Sequence, residues 1–529
     1  MTEKKIKEVK EIDGSPLKIT SICPVCFGEE KIRMIPAKLV EKDYQIWIKK
    51  ECPEHGCFED VVLRDALLWK KWRLYTTRKS RPPKVPLITT SPDGKNLYRK
   101  HRSWPLLVNL LVTNRCNLRC WYCFMNAGRT GYIYEPSLDS LEKMMQKAKE
   151  AGGIAIQITG GEPTVREDII EILKIARRLF SHVQLNTNGI RIADDPEFAK
   201  ELKGLINAIY MSFDGVDQKK NPWIDYSVKA LDNLRKAGFV SVVLVPTITR
   251  ENLPEAGKIV KFALENRDVV RGVIFQPIAM AGSIKKVTSD FLRKFRVDYI
   301  DIMETIEEEF NCNIFRYDFY PVAFVDPIRK LAEKMKNKEY PGFTADPMCG
   351  GATYVFWDQE KEKAVPITRF LNVEELRRFI IRDLLSKEGM AAKSRIAFSF
   401  IKRINRFIME RLPSGLQHPK RMIIKSIIGG DYHSLRAFHY NSILIGIMWF
   451  QDPWNIQLQP RVERCVIQYT TEEGLISFCL YNGLGFGEKM RKKYAMSIKE
   501  WEEKTGKKLS DDIWEKARKN PVLLTGKSK

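Results

Sequence analysis

Residues 106–124, LLVNLLVTNRCNLRCWYCF, constrain this chain more than any other segment. An apolar, strand-like run leads directly into Cys116, Cys120 and Cys123, spaced C-x3-C-x2-C. Three thiolates on so short a loop can hold three irons of a 4Fe-4S cubane. The fourth iron is then left without a protein ligand, which is what a cluster needs to bind and reduce a small molecule.

The other cysteines also fall in groups. The chain has 11, and its first group is CPVC followed by CPEHGC. Cys23, Cys26, Cys52 and Cys57 on two short turns suit a tetrahedral site. Tight turns aim backbone N–H groups at sulfur and stabilise thiolate. Zinc and a single iron both fit such a set. His55, between the last two cysteines, is an alternative to Cys57 as fourth ligand. The charged N-terminus has no apolar signal-like run, and nothing reaches the ~18 apolar residues of a spanning helix. The longest apolar runs, such as residues 443–450, are too short. A cytoplasmic location is expected, where cysteines serve metals or catalysis more often than disulfides.

With 529 residues, 44% of them hydrophobic, the chain exceeds a single ordinary core and is not wholly disordered. The 89 Lys and Arg against 66 Asp and Glu leave a net charge of +23. That favours an acidic partner: nucleic acid, an anionic membrane surface or a phosphorylated substrate.

The triplet resembles the signature of the radical S-adenosylmethionine (SAM) enzymes, which has an aromatic residue before the last Cys, here Tyr122. After a strand-like AIQIT, Gly160-Gly161-Glu162 looks like the family's GGE motif, which binds the amino group of SAM. Glycines permit close backbone approach, and a carboxylate pairs with ammonium. The resemblance implies an α/β fold built on a partial (β/α)6 barrel. Its later strand ends fall in residues 185–190, 209–215, 241–252 and 272–282, with helix-patterned segments between. By the same resemblance, Asn186, Asn188, Ser212 and Thr247 line the SAM pocket at strand C-terminal ends. The implied chemistry is one-electron cleavage of SAM to methionine and a 5′-deoxyadenosyl radical that abstracts hydrogen. Water must be kept out of such a site.

Four cysteines remain: Cys312, Cys349, Cys465 and Cys479. They can ligate one auxiliary cluster and no more. The blocks CGGATYVF, DPWN, RVERCVIQY and FCLYN resemble the archaeal tetraether lipid synthase group. That likeness implies coupling of sp3 carbons of isoprenoid ether lipids, an auxiliary 4Fe-4S cluster, and a low-potential donor such as a ferredoxin. Residues 393–436 carry ten Lys and Arg against two acids. Ala397, Phe400, Ile401, Ile404, Phe407 and Ile408 form one apolar helical face there, which reads as a helix for a membrane surface. The expected division is a four-cysteine rubredoxin- or zinc-ribbon-like domain (1–75), the SAM barrel (76–300), and a mainly helical auxiliary-cluster and substrate region (301–529). A polar tail, helix-patterned around Trp501 and Trp514, is read as a packing or docking element. Two other readings stand beside the lipid one. The same machinery could serve as a methyltransferase on a pterin or other small molecule, or as a peptide maturase. A zinc-ribbon nucleic-acid-binding protein would leave CNLRCWYC and TGGEPT unexplained.

Overall fold

Strict alternation organises the N-terminal domain. Strands β1 (Ile19–Ile22), β2 (Met34–Lys42), β3 (Gln45–Cys52) and β4 (Gly56–Leu63) pair antiparallel in that order. Ile35, Ala37 and Leu39 on β2, with Ile46 and Ile48 on β3, are buried, while Met34, Pro36 and Lys38 are exposed and Gln45, Trp47 and Lys49 half-buried. Helix α1 (Ala66–Arg73) follows, capped by the Asp65 carboxylate accepting from the Leu68 N–H. Its Trp72 is fully buried and donates from Nε1 to the Phe319 carbonyl at 3.1 Å. The computed structural model describes all residues except 1–6, 11–16, 78–80, 285–286, 390, 410–411, 417, 430–437 and 514–529.

Six strands then alternate with helices. They are β5 (Leu107–Leu111), β6 (Ala155–Thr159), β7 (His182–Thr187), β8 (Ala208–Ser212), β9 (Val242–Val245) and β10 (Val270–Pro277). Each lies parallel to the next. The connecting helices include α2 (Leu138–Glu150), α3 (Ile169–Leu179), α4 (Ile224–Lys236) and α5 (Ala256–Glu265). On α3, Ile169, Ile172, Leu173 and Ala176 repeat at 3, 4 and 7 residues and are wholly buried. They share a core with Val108, Leu110, Ile156, Ile158, Val183 and Leu185 on the outer face of the sheet. Burying each such side chain contributes about 1.5–3 kcal/mol. The intervening strand residues therefore face the lumen of a curled half-barrel.

The chain beyond residue 300 supplies helices and also strands. Strands β11 (Gly350–Asp358), β12 (Lys363–Pro366), β13 (Ser442–Met448), β14 (Ile467–Thr471) and β15 (Gly474–Ser477) join the same sheet. β13 lies parallel to β10 and β14 lies parallel to β5, so both edges of the six-stranded row gain a parallel strand.

Helix α6 (Ala392–Phe407) is the basic amphipathic helix. Its buried face is Ala392, Ile396, Phe400, Ile404 and Phe407, packed against Leu376, Phe379, Ile380 and Leu384 of the same chain. Of the apolar face expected to meet a membrane, Phe400, Ile404 and Phe407 are covered by protein, while Ile401 is exposed. Only Phe398 and Ile401 on α6 remain as exposed large apolar side chains. Arg403 and Arg406 on its polar side pair with Asp383 and Glu375. Among the described residues no helix is long and apolar enough to cross a membrane. Arg436 and Trp514 lie outside the described residues.

Candidate active site and metal centres

In the N-terminal domain, Cys23 and Cys26 sit on the turn after β1, and Cys52 ends β3. Turn residue His55 faces all three. Its Nδ1 lies 3.7 Å from Cys23 Sγ, 3.3 Å from Cys26 Sγ and 3.7 Å from Cys52 Sγ. The Cys26 and Cys52 sulfurs are 3.9 Å apart. Cys57 stands outside this group: it opens β4, pairs with Glu51 and is exposed. Four intervening residues carry it past the turn, and His55 takes the inward position. Burial, with Cys23 and Cys52 alongside, pushes the Cys26 thiol up to about 12. Burial works against the Cys52 thiolate too, yet the Glu54 and His55 backbone N–H groups and the His55 ring hold that thiol down to about 6. Three thiols and an imidazole this close suit one divalent cation, which takes up the thiolate charge.

At the other centre, the loop after β5 carries Cys116, Cys120 and Cys123, all half-buried. Burial, and then the nearby Glu162, push the Cys116 thiol up to about 12. The Leu118 N–H points at Cys116 Sγ (3.4 Å), and Arg119 Nη1 donates to the Cys116 carbonyl (2.6 Å). The glycines lie against this loop. Gly161 N donates to Thr113 O at 2.8 Å and Glu162 N to Arg115 O at 2.9 Å. A Cβ on Gly160 would meet Thr113 O at 2.5 Å, and one on Gly161 would meet Arg115 O at 2.1 Å.

Glu162 is buried. Its Oε1 accepts from Thr164 N (3.0 Å), Thr164 Oγ1 (2.6 Å) and Thr187 Oγ1 (2.8 Å), and its Oε2 from Asn188 N (2.7 Å). Oε2, with a single donor, keeps capacity for a cation. Asn188 Nδ2 donates to Asn117 Oδ1 on the cysteine loop at 2.6 Å, and its Oδ1 accepts from Ile190 N. Asn186, at the end of β7, donates to Thr159 Oγ1 at 3.3 Å. Ser212 closes β8, and the Thr247 N–H donates to Asp214 Oδ1 at 2.8 Å. All these residues lie at the C-terminal ends of neighbouring parallel strands, the edge where barrels gather their sites. Sequence reasoning missed two members. Asp214, in the FDG that follows β8, accepts the Tyr122 hydroxyl, and burial pushes its carboxyl up to about 6. Arg115, just before Cys116, is buried and meets Glu135 and Asp512.

Of the remaining cysteines, three come within electrostatic reach of one another. Cys349 precedes β11, Cys465 precedes β14 and Cys479 follows β15. Burial pushes the Cys465 thiol up, and Cys479 and Cys349 add to the shift. Burial also takes Cys479 to about 11. The buried Arg461 donates to the Met348 carbonyl at 2.8 Å beside them. Cys312 is elsewhere, exposed at a φ of +58° in the turn after a helix at Tyr299–Glu309.

The radical SAM superfamily is matched over residues 110–263, and the HMPTM N-terminal zinc ribbon domain over residues 16–64. Together with the fold, the first match makes this a radical SAM enzyme, with SAM and a 4Fe-4S cluster as its cofactors and a metal-binding ribbon ahead of the barrel. Over 500 residues the chain is 37% identical to the 7,8-dihydro-6-hydroxymethylpterin dimethyltransferase of Methanocaldococcus jannaschii, covering 92% of this chain and 96% of that protein. It belongs to that enzyme's family. It is also 25% identical to the Fe-coproporphyrin III synthase of Methanosarcina barkeri, across 50% of this chain and 62% of that one. Streptococcus suis SuiB bound to S-adenosylmethionine matches 39% of the chain and 47% of its own, at 21% identity and a TM-score of 0.31. The near full-length likeness to a pterin dimethyltransferase overturns the expectation of a tetraether lipid synthase.

Proposed function

We propose that this protein is a radical SAM methyltransferase acting on a reduced pterin. The observation that carries the reading is the 37% identity to the pterin dimethyltransferase across 92% of the chain. When bound, the cluster and SAM supply one-electron cleavage of the sulfonium, giving methionine and a 5′-deoxyadenosyl radical that removes a substrate hydrogen atom. The electron comes from a low-potential donor such as a ferredoxin.

The lumen supports a polar heterocycle. Asn109 on β5 is in register with Gln157 on β6, and Gln157 with Gln184 on β7. Their flanking residues pack outward, so all three project inward. Gln157 Nε2 donates to Gln184 Oε1 at 3.2 Å, while Asn109 Nδ2 is buried with no partner among the described residues. Side-chain amides offer both donors and acceptors, which suits a pyrimidinone edge and would be costly beside a lipid chain.

In this reading Cys116, Cys120 and Cys123 ligate the SAM cluster, and Tyr122 packs beside it. Gly160, Gly161 and Glu162 take the SAM amino group. Asn186, Asn188, Ser212 and Thr247 border its pocket. Cys349, Cys465 and Cys479 hold an auxiliary iron–sulfur group, and Cys23, Cys26, Cys52 and His55 hold zinc or iron. The three-part division at residues 75 and 300 goes with these assignments, the third part adding strands to both edges of the barrel.

The test is anaerobic incubation of the reconstituted, reduced protein with SAM and 7,8-dihydro-6-hydroxymethylpterin deuterated at its carbon-bound positions, because this cleavage leaves the SAM methyl group on methionine. Deuterium should pass from the pterin into 5′-deoxyadenosine by mass spectrometry. Vigorous SAM cleavage with unlabelled 5′-deoxyadenosine would overturn the substrate while leaving the enzyme class intact.

A further inference from the structure

The C-terminal segment returns to the SAM-cleaving centre. Met496–Ser497 pairs antiparallel with Tyr132–Ile133, on the stretch leading away from the cysteine loop. Helix α7 (Ile498–Thr505) follows, with a capping box between Ser497 and Glu500. Beyond it, Lys507 pairs with Glu167 just past the GGE strip.

Two side chains of this segment close on one residue. Asp512 accepts two hydrogen bonds from Arg115 Nη1, each at 2.8 Å. The buried Trp501 presents its ring to the Arg115 guanidinium, 4.7 Å from the ring centroid. Glu135 takes Arg115 Nε at 2.8 Å and the Thr113 hydroxyl at 2.8 Å. The Arg115 backbone carbonyl accepts the Glu162 N–H, and Cys116 is the next residue. One arginine thus touches the C-terminal segment with its side chain, and the GGE strip and first cluster cysteine with its backbone. Ile513 packs against the cluster of Leu118, Ile190 and Trp223, which Cys116 and Cys120 also meet, so apolar surface closes the flank of the same loop.

We propose that Asp512 and Trp501 are positioning residues of the SAM-cleaving centre, fixing through Arg115 the spacing between the cysteine loop and the GGE strip. Neither touches the reacting atoms as the described residues place them. Their effect falls on how tightly SAM is held and how well the loop is ordered. The inference rests on the enzyme class and is independent of the pterin.

The experiment uses the full chain, reconstituted anaerobically, and compares Asp512→Asn, Asp512→Glu and Trp501→Leu with the parent. Loss of one charge-assisted pair should raise the KM for SAM about tenfold in the Asn variant, with kcat for 5′-deoxyadenosine formation changed less. Iron content should stay at the parent level. The electron paramagnetic resonance change that SAM induces in the reduced cluster should need correspondingly more SAM. Without iron, amide exchange should quicken across residues 114–124 and not across the remaining barrel strands. Asp512→Glu should recover most of each effect. The proposal is overturned by parent-like KM and exchange in both Asp512→Asn and Trp501→Leu. It is equally overturned by exchange that rises evenly over the whole chain, which would mark a purely structural role.

Discussion

At the residue scale the centre depends on places where no side chain fits. Gly161 is the sharpest, since its absent Cβ leaves 2.1 Å to the Arg115 carbonyl. That obstacle is backbone, so it cannot swing aside. Gly161→Ala must push the GGE strip away from the cysteine loop, at a cost of about 1–3 kcal/mol if the strain is local. SAM cleavage by the variant should fall by roughly tenfold to a hundredfold, with iron content kept, measured as 5′-deoxyadenosine formed under dithionite. Full parental activity would show that the strip does not need this approach. The cysteine triplet and GGE were legible because each is contiguous. Asp512 was not, because it stands 397 positions from Arg115 and a lone Asp in a polar tail carries no pattern. His55 was legible only as an alternative, since spacing does not say which of two neighbours in a turn faces inward.

At the element scale, the six strands of the half-barrel could be read because each alternates with an amphipathic helix over a short span. The two flanking parallel strands could not. β13 reads only as an apolar run, and its partner β10 is far back in the sequence, so periodicity says nothing of the pairing. What locks the ribbon, the barrel and the loop after β13 together is a buried charge cluster. Arg296 donates to Asp452 at 2.6 Å and also pairs with Asp60 on β4. Lys50 on β3 donates to the carbonyls of Ile22 at 2.9 Å and Pro453 at 2.8 Å. Arg296→Met leaves Asp60 and Asp452 to share the neighbouring Lys50, so the first urea transition should lose about 3–5 kcal/mol. The sign of the pH dependence follows. Burial already raises the Asp60 carboxyl, and Arg296 opposes it. Without the arginine that carboxyl rises further above the unfolded value. The variant's deficit should then grow as pH rises through the folded values and shrink toward acid pH. A deficit independent of pH would place the loss in packing instead.

At the scale of the whole molecule, the ribbon is not an appendage. Ile19, Leu39, Ile46, Ile48 and Val62 belong to the same continuous core as α1 and the barrel strands. β1 also reaches the loop that leads to Cys465: Ser21 Oγ donates to Ile456 O at 2.6 Å, and Leu458 N to Thr20 O at 2.8 Å. A cation held by Cys23, Cys26, Cys52 and His55 therefore fixes the end of β1, and β1 fixes that loop. Removing it by chelation, or by His55→Ala, should lower the melting temperature of the entire chain by roughly 5 °C or more. Amide exchange should quicken first over residues 452–466, before the cysteine loop at 114–124 responds. Cys57→Ala should match the parent in metal content and melting, because that thiol faces water away from the group. Metal loss from Cys57→Ala, with retention in His55→Ala, would reverse the ligand assignment. Melting unchanged by chelation would instead sever the ribbon from the stability of the barrel.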